Sequence, residues 1–202
     1  DRDFWREEVR AFAGRLEELA GREIQKEALA GAIKVVNNKR RALLRLAELR
    51  KSDPPVISGL DALLIDQIAS YDDPRRLATK VNDLCGELEK RRDSGKHIGG
   101  GHRPRLLVTG CPMAIPNCKV IQLIEASGAV AAMDEMCTGI RYFRNLVDEG
   151  VGEKNAMFDA IADRYLKIDC AVFTPKRERT EHILEIARGY DATPTQLKRT
   201  RW

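Results

Sequence analysis

The sequence has 202 residues, of which 43% are hydrophobic and 33% are charged, and its formal net charge is +4. This length allows one or two small domains, while mixed charges and an aromatic content of 5% give little reason to expect a nucleic-acid partner. The sequence has no apolar run of the roughly 18 residues that a membrane span needs. It also shows no secretion signal, so we expect a cytoplasmic protein.

The first half of the sequence is predicted to be helical. Four segments carry apolar residues at helical spacing, and they cover about 4–20, 24–51, 58–68 and 73–93. Ser58 is predicted to cap the third helix and Asp73 the fourth, with Pro74 at the first helical position, because these side chains accept free backbone N–H groups. We therefore interpret region 1–95 as a helical region.

A glycine-rich segment, 96–104, separates the two halves of the chain. We interpret it as a linker rather than a phosphate-binding loop, because it follows a helix where a phosphate loop follows a strand. It contains His97 and His102, but two histidines in a loop are a weak prediction of a metal site.

The second half is predicted to alternate strands with helices. The predicted strands are 105–110, 129–133 and a short extended piece at 171–174; the predicted helices are 118–127, 139–149, 154–167 and 177–188. This alternation is typical of a parallel sheet with helices on its faces. The predicted fold class is α/β, with the helical region followed by a Rossmann-like parallel-sheet lobe at 105–192.

The two ends of the chain suggest a fragment. The sequence starts at Asp1, inside an amphipathic helical pattern. The segment 193–202 follows a predicted helix, where a parallel α/β unit should have a strand, yet it is polar and basic and has no apolar run to fill a central strand. We expect 193–202 to be an aberrant tail foreign to the fold, and the lobe to be incomplete.

The sequence contains five widely spaced cysteines, an odd number. In a chain of this size without a secretion signal, reduced thiols or metal thiolates are favoured over a disulfide framework. We interpret Cys85, on the apolar face of a helix, as part of the core. Packing is also the favoured role for Cys118, which lies at a predicted helix start.

The other three cysteines lie next to predicted strands. Cys111 follows the first strand, Cys137 follows the second, and Cys170 adjoins the third. Open parallel sheets place their sites beyond the carboxyl ends of the strands, so these thiols are candidates to converge and hold an iron–sulfur cluster. The alternative is that each one packs as a small buried hydrophobe, and no CxxC spacing decides between the two.

The segments around these cysteines resemble the C-terminal half of the 2-hydroxyacyl-CoA dehydratase and benzoyl-CoA reductase superfamily. The resemblance lies in LVTGCP (107–112), KVI (119–121), DEMCTGIRYF (134–143) and DCAVFTP (169–175). The helical first half, including NNKRR (37–41), resembles the helices between that family's two sheets.

This resemblance implies two Rossmann-like lobes around a 4Fe–4S cluster, or a double-cubane 8Fe–9S cluster in the branch that the Cys-Thr-Gly and Asp-Cys segments favour. Cys137 and Cys170 would be ligands, with Cys111 as the third candidate. The implied activity is a low-potential one-electron reduction, with an acyl-CoA as substrate. The implied partners are an ATP-hydrolysing activator protein and a second copy or homologous subunit.

The family's further cluster cysteines lie in a lobe that precedes the region matched here, so we expect this chain alone to hold no complete cluster and to be inactive. No residue identifies itself as a catalytic acid or base. Asp134, Glu135 and Arg141 flank Cys137, and we interpret them as a solvated ion pair or helix cap.

Three other functions stay open. The first is an electron carrier or cluster scaffold without its own substrate site. The second is a nucleotide-binding Rossmann domain with structural cysteines, although Thr-Gly-Cys-Pro at 109–112 replaces the expected G-x-G-x-x-G turn. The third is a structural interaction module built on amphipathic helices.

Overall fold

The computed structural model describes residues 2–99, 101–170, 172 and 178–196, the last four by their backbone alone. In chain order the elements are α1 (Arg2–Ala20), α2 (Lys26–Leu49), α3 (Gly59–Ile68), α4 (Pro74–Asp93), β1 (Arg105–Thr109), α5 (Lys119–Ala126), β2 (Val130–Glu135), α6 (Ile140–Phe143), α7 (Lys154–Leu166), α8 (Glu178–Gly189) and β3 (Thr193–Gln196). None of the helices in these ranges has the length and apolar character needed to cross a bilayer.

The predicted helix starts in the first half are confirmed. The Ser58 hydroxyl accepts the backbone N–H of Asp61 at 2.9 Å, and the Asp73 carboxylate accepts the backbone N–H groups of Arg75 and Arg76. Pro74 stands in the first turn of α4. Each cap satisfies donors that a helix start otherwise leaves free.

The sheet has the strand order β2-β1-β3. β1 pairs with β2 and with β3, in both cases in parallel. Helices pack on it from the N-terminal region and from its own connections, so the predicted α/β fold class is confirmed.

The end of the sheet corrects one prediction. Thr193–Gln196, expected to be part of an aberrant tail, form β3 beside β1, with Leu106 opposite Thr193 and Thr109 opposite Gln196. Within the described residues β3 is paired on one side only, and such pairing is made by backbone groups, so the segment needs no apolar run. The remainder of the expected tail, 197–202, lies outside the described residues.

A second correction concerns the predicted helix at 139–149, which is limited to the single turn of α6. The buried Asn37 side chain receives the backbone N–H of Val147 at 3.1 Å and donates to its carbonyl at 2.8 Å. Arg164 donates to the carbonyls of Tyr142 and Asn145. Side chains distant in sequence thus take up the backbone groups that a continued helix would have paired.

The predicted helix at 154–167 is confirmed as α7, and the one at 177–188 corresponds to α8 over the described residues. The extended piece expected at 171–174 lies outside the described residues, apart from Val172.

Both faces of the sheet are buried at β1 and β2, which explains why the central residues of these two strands are apolar. Leu107 lies in a core with residues of α2 and α4, such as Leu46 and Leu88. The next residue of β1, Val108, points to the opposite face and packs with residues of α3 and α5, such as Ile121. The helical first half therefore contributes to a hydrophobic core on each face of the sheet.

The glycine-rich segment is fastened beside the end of α2. The Ile98 backbone N–H donates to the Pro55 carbonyl at 2.8 Å, and His102 Nδ1 lies 2.7 Å from Asp53 Oδ2. The contact of His102 is with a single carboxylate, so we interpret it as a contact that holds the glycine-rich segment in place.

Candidate functional site

Two of the candidate cysteines lie beyond the carboxyl ends of neighbouring strands. Thr109 of β1 is paired with Glu135 of β2, and Cys111 and Cys137 each follow two residues later. Both are free and exposed. The parallel register therefore places both thiols beyond the same edge of the sheet.

The third candidate, Cys170, is half-buried and follows α7. Its neighbour Asp169 is buried and ties this segment to two other elements. The Asp169 carboxylate lies 2.6 Å from His182 Nδ1 on α8 and 3.6 Å from Arg144 Nη1 after α6. The Cys170 segment is thus held against the helices that flank the sheet edge.

A buried carboxylate joins the elements around this edge. Glu135, at the end of β2, accepts the hydroxyl of Thr109 on β1 at 2.6 Å. The same carboxylate pairs with Arg141 of α6 and lies 3.5 Å from Arg179 of α8. Glu135 and Arg141 are 2% and 6% exposed, so the solvated ion pair that we expected here is in fact a buried one.

Arg141 connects this carboxylate with a candidate ligand. Its Nη1 lies 3.8 Å from the sulfur of Cys137. Burial lowers the pKa of Arg141, but the hydrogen bond and charge of Glu135, together with the attraction of Cys137, outweigh it and raise the pKa above its ordinary value. A permanently charged donor therefore faces the Cys137 sulfur.

The neighbouring Asp134 fixes the other side of the Cys137 loop. It is fully buried, and its Oδ2 lies 3.2 Å from Nη1 of Arg50, which directly follows α2. Its carboxylate also packs against Gly139, where an added Cβ would lie 2.7 Å from the Asp134 carbonyl oxygen. The glycine of Cys-Thr-Gly is thus required by a close approach of the strand end.

Asp66 of α3 adds a second acid to the same interior. It is 3% exposed. Burial, followed by the negative charge of Asp134, raises the pKa of Asp66 well above its ordinary value, and Arg50 offsets this only in part. Two buried carboxyl groups therefore share the positive charge of Arg50.

The chemistry of the candidate residues suits an iron–sulfur cluster in part. Cys111, Cys137 and Cys170 are free thiols, the ligand type that such clusters use. Over 2–99, 101–170, 172 and 178–196, however, no group of three or more His, Cys, Asp or Glu side chains is placed to hold a metal ion. These ranges offer thiols beside the sheet edge without a complete ligand set.

The remaining cysteines behave as predicted. Cys85 is fully buried in the core, and its burial raises the pKa of its thiol to about 11. Cys118 precedes α5, is 8% exposed and packs in the core on the α3 and α5 face of the sheet. Both are structural cysteines.

Two polar residues of this region were missed by sequence reasoning. Arg179 and His182 lie on α8 and reach Glu135 and Asp169, respectively. Their spacing of three residues places them on one face of a helix, and this is the one signal that pointed to them.

A cavity of about 400 Å³ opens beside the cysteine loops. Its walls come from the end of α3, with Leu64 and Ile68, and from the two strand-end loops, with Ile115 and Thr138. The arrangement places a mostly apolar space next to the loops of Cys111 and Cys137.

Comparison with known proteins agrees with the resemblance in sequence. Residues 1–193 match the family model described as 2-hydroxyglutaryl-CoA dehydratase, D-component. The chain is 30% identical over 190 residues to the Escherichia coli (strain K12) protein YjiM, which is named as a dehydratase subunit. It is 22% identical over 191 residues to the (R)-phenyllactyl-CoA dehydratase beta subunit of Clostridium sporogenes. These alignments cover 94% and 93% of this chain but 48% and 47% of the relatives, so the chain spans about half the length of the curated relatives it matches.

Proposed function

Because the chain belongs to the 2-hydroxyglutaryl-CoA dehydratase D-component family, we propose that it is part of an iron–sulfur subunit that reduces a 2-hydroxyacyl-CoA by one electron at low potential. The observation that supports this most is the paired register of Thr109 and Glu135, which places the thiols of Cys111 and Cys137 at one sheet edge. The supporting contact is Arg141, 3.8 Å from the Cys137 sulfur.

In this proposal Cys137, Cys170 and Cys111 hold the cluster, which when bound supplies the low-potential electron. Arg141 donates a hydrogen bond to the Cys137 sulfur, and such contacts tune cluster potentials. Glu135 keeps Arg141 in position through their buried ion pair. The cluster is of the 4Fe–4S or the double-cubane 8Fe–9S type, and the iron count per protein separates the two.

The names of the relatives support a partner subunit. One relative is named as a dehydratase subunit and another as a beta subunit. We propose that this protein works with a second copy or a homologous subunit, and that an ATP-hydrolysing activator protein delivers the electron.

The ligand assignment is tested by anaerobic reconstitution with iron and sulfide. In the complete protein, we expect bound iron and sulfide in the wild type and a loss of both in Cys137→Ala and Cys170→Ala. Cys118→Ala is the matched control, because Cys118 lies in the same lobe but packs in the core. Unchanged iron and sulfide in both ligand variants would overturn the assignment.

The alternative is an electron carrier without a substrate site. The apolar cavity beside the Cys111 and Cys137 loops favours an enzyme, because it offers space for the acyl part of a substrate. In the complete, reduced protein we expect the cluster to be reoxidised when 2-hydroxyacyl-CoA is added. Reoxidation by a general electron acceptor alone would identify a carrier.

A further inference from the structure

A separate cavity of about 190 Å³ lies between α2 and α7. Its apolar walls include Ile33, Val36, Val147 and Ile161, and Tyr165 also borders it. Its one charged lining residue is Arg40 of α2. The loops that carry Cys111 and Cys137 do not line this cavity, and neither does Glu135 or any of its ion-pair partners.

Among the described residues, the guanidinium of Arg40 has no acidic partner. The residue is 3% exposed, and its Nη1 donates to the side-chain oxygen of Asn37 at 3.2 Å. Within the ranges that the structure describes, its Nε has no hydrogen-bond partner and no carboxylate forms an ion pair with it. A buried charge in this condition favours the binding of an anion.

A second buried guanidinium increases the positive charge of this region. Arg164 of α7 is 1% exposed and donates to backbone carbonyls, including that of Asn145 at 3.0 Å. Burial, and then repulsion from Arg40, lower the pKa of Arg164. The two like charges thus lie close enough to interact, and an anion at Arg40 would relieve their repulsion.

We propose that this cavity binds a small carboxylate with a short aliphatic chain, its carboxylate on Arg40 and its chain against Ile33, Val36 and Ile161. A planar guanidinium matches the two oxygens of a carboxylate, and apolar walls suit an aliphatic body. At about 30 Å³ per water-sized group, the cavity of about 190 Å³ holds roughly six such groups, close to the seven non-hydrogen atoms of pentanoate. This site is distinct from the proposed cluster site and does not depend on it.

The test is a titration of the intact chain with pentanoate and with pentanamide, a neutral compound of nearly the same shape. Amide chemical shifts of α2 and α7 report the binding. We expect pentanoate to bind at least tenfold more tightly than pentanamide. Equal affinity of the two compounds, or no binding of pentanoate, would overturn the proposal.

Two variants separate the charge from the space. Arg40→Met removes the charge with little loss of side-chain volume, whereas Ile161→Phe fills the cavity and keeps Arg40. Each variant is expected to weaken the binding of pentanoate at least tenfold. Arg45→Met is the control, since Arg45 lies on the same helix but pairs with Glu89, and its affinity should match wild type. A thermal melt of each variant verifies folding.

Unchanged pentanoate affinity in both Arg40→Met and Ile161→Phe would contradict the site. Sedimentation measures self-association and so distinguishes a small-molecule site from a contact between two copies of the chain. If pentanoate fails to bind while Arg40→Met abolishes self-association, then the carboxylate comes from a second copy of the chain, and the small-molecule site is wrong.

Discussion

Single buried charges position the loops around the candidate cysteines. Glu135 receives the Thr109 hydroxyl, pairs with Arg141 and lies 3.5 Å from Arg179, so one carboxylate connects two strands and two helices. Such a group is costly to bury alone, and it is tolerated here because its partners are buried with it.

Arg141→Gln should therefore be strongly destabilising. We expect the free energy of unfolding to fall by roughly 3 kcal/mol, the lower end for breaking a buried pair, because Thr109 and Arg179 still contact Glu135. Urea unfolding measures this loss. Arg45→Gln, in a pair with both side chains at least 36% exposed, should change stability little; equal losses in the two variants would contradict the buried pair.

Asp66→Asn should change the pH dependence of stability. The pKa of Asp66 is raised in the folded state by burial and by Asp134, so the unfolded chain ionises first as pH rises above about 4. Wild-type stability is therefore lost progressively from that pH up to the raised folded pKa. The variant cannot ionise at this position and avoids the loss.

We expect the urea midpoint of Asp66→Asn, relative to wild type, to rise between pH 4.5 and pH 7.5. Asp83→Asn, on the exposed side of α4, is the control and should show no such trend. A difference between Asp66→Asn and wild type that stays constant over this pH range would mean that Asp66 ionises alike in the folded and unfolded chains.

At the scale of elements, the connection from β2 to α6 is closely packed. Gly139 packs directly against the carboxylate of Asp134 and lies close to its carbonyl, so the Cys137 loop folds back onto the strand that precedes it. The loop that presents Cys137 is therefore fixed by backbone proximity as well as by Arg141.

Gly139→Ala should disturb this connection. The new Cβ would collide with the Asp134 carboxylate, and we expect a loss of about 2 kcal/mol, typical of overpacking. Gly31→Ala is the control: Gly31 is exposed on α2, an added Cβ meets nothing within 4 Å, and alanine should stabilise the helix by about 0.5–1 kcal/mol. The same sign of change in both variants would refute this packing.

The attachment of α1 to α7 depends on charge. Arg2 and Arg6 both donate to the Asp163 carboxylate, and these hydrogen bonds lower the pKa of Asp163. The attachment is thus retained above the ordinary pKa of an aspartate and is lost only as pH falls through the depressed one. Trp5, whose indole donates to the Ala162 carbonyl at 3.1 Å, reports on it.

Asp163→Asn should release the first turns of α1. In a Trp202→Phe background, where Trp5 is the remaining tryptophan, we expect the fluorescence of the variant to shift to longer wavelength. Glu7→Gln, an exposed position on the same helix, should leave the spectrum unchanged. An unshifted spectrum in Asp163→Asn would show that other contacts hold the helix.

Across the whole molecule, the features that local sequence determines were predictable. The caps at Ser58 and Asp73 depend on neighbouring residues, and the strands β1 and β2 are apolar because both faces of the sheet are buried. The shortness of α6 was not predictable, because the backbone of Val147 forms hydrogen bonds with the side chain of Asn37, which lies 110 positions away in the sequence. β3 was missed because edge pairing makes little demand on side chains.

In the candidate site, too, local features were predictable from the sequence and contacts between distant residues were not. The positions of Cys111 and Cys137 follow from the strands that precede them, and the parallel register brings those strand ends together. The links from Glu135 to Arg179 and from Asp169 to His182 join residues of different elements. Periodicity carries no information on such contacts, so they appear only in the folded chain.

The most direct test of the cluster site is a map of thiol reactivity in the complete protein, made anaerobically by alkylation and mass spectrometry before and after loading with iron and sulfide. Before loading, Cys111 and Cys137 should react fastest, Cys170 more slowly, and the buried Cys85 and Cys118 least. After loading, we predict that Cys111, Cys137 and Cys170 become protected together, while the two buried cysteines do not change. Iron bound with those three thiols still reactive would contradict the account.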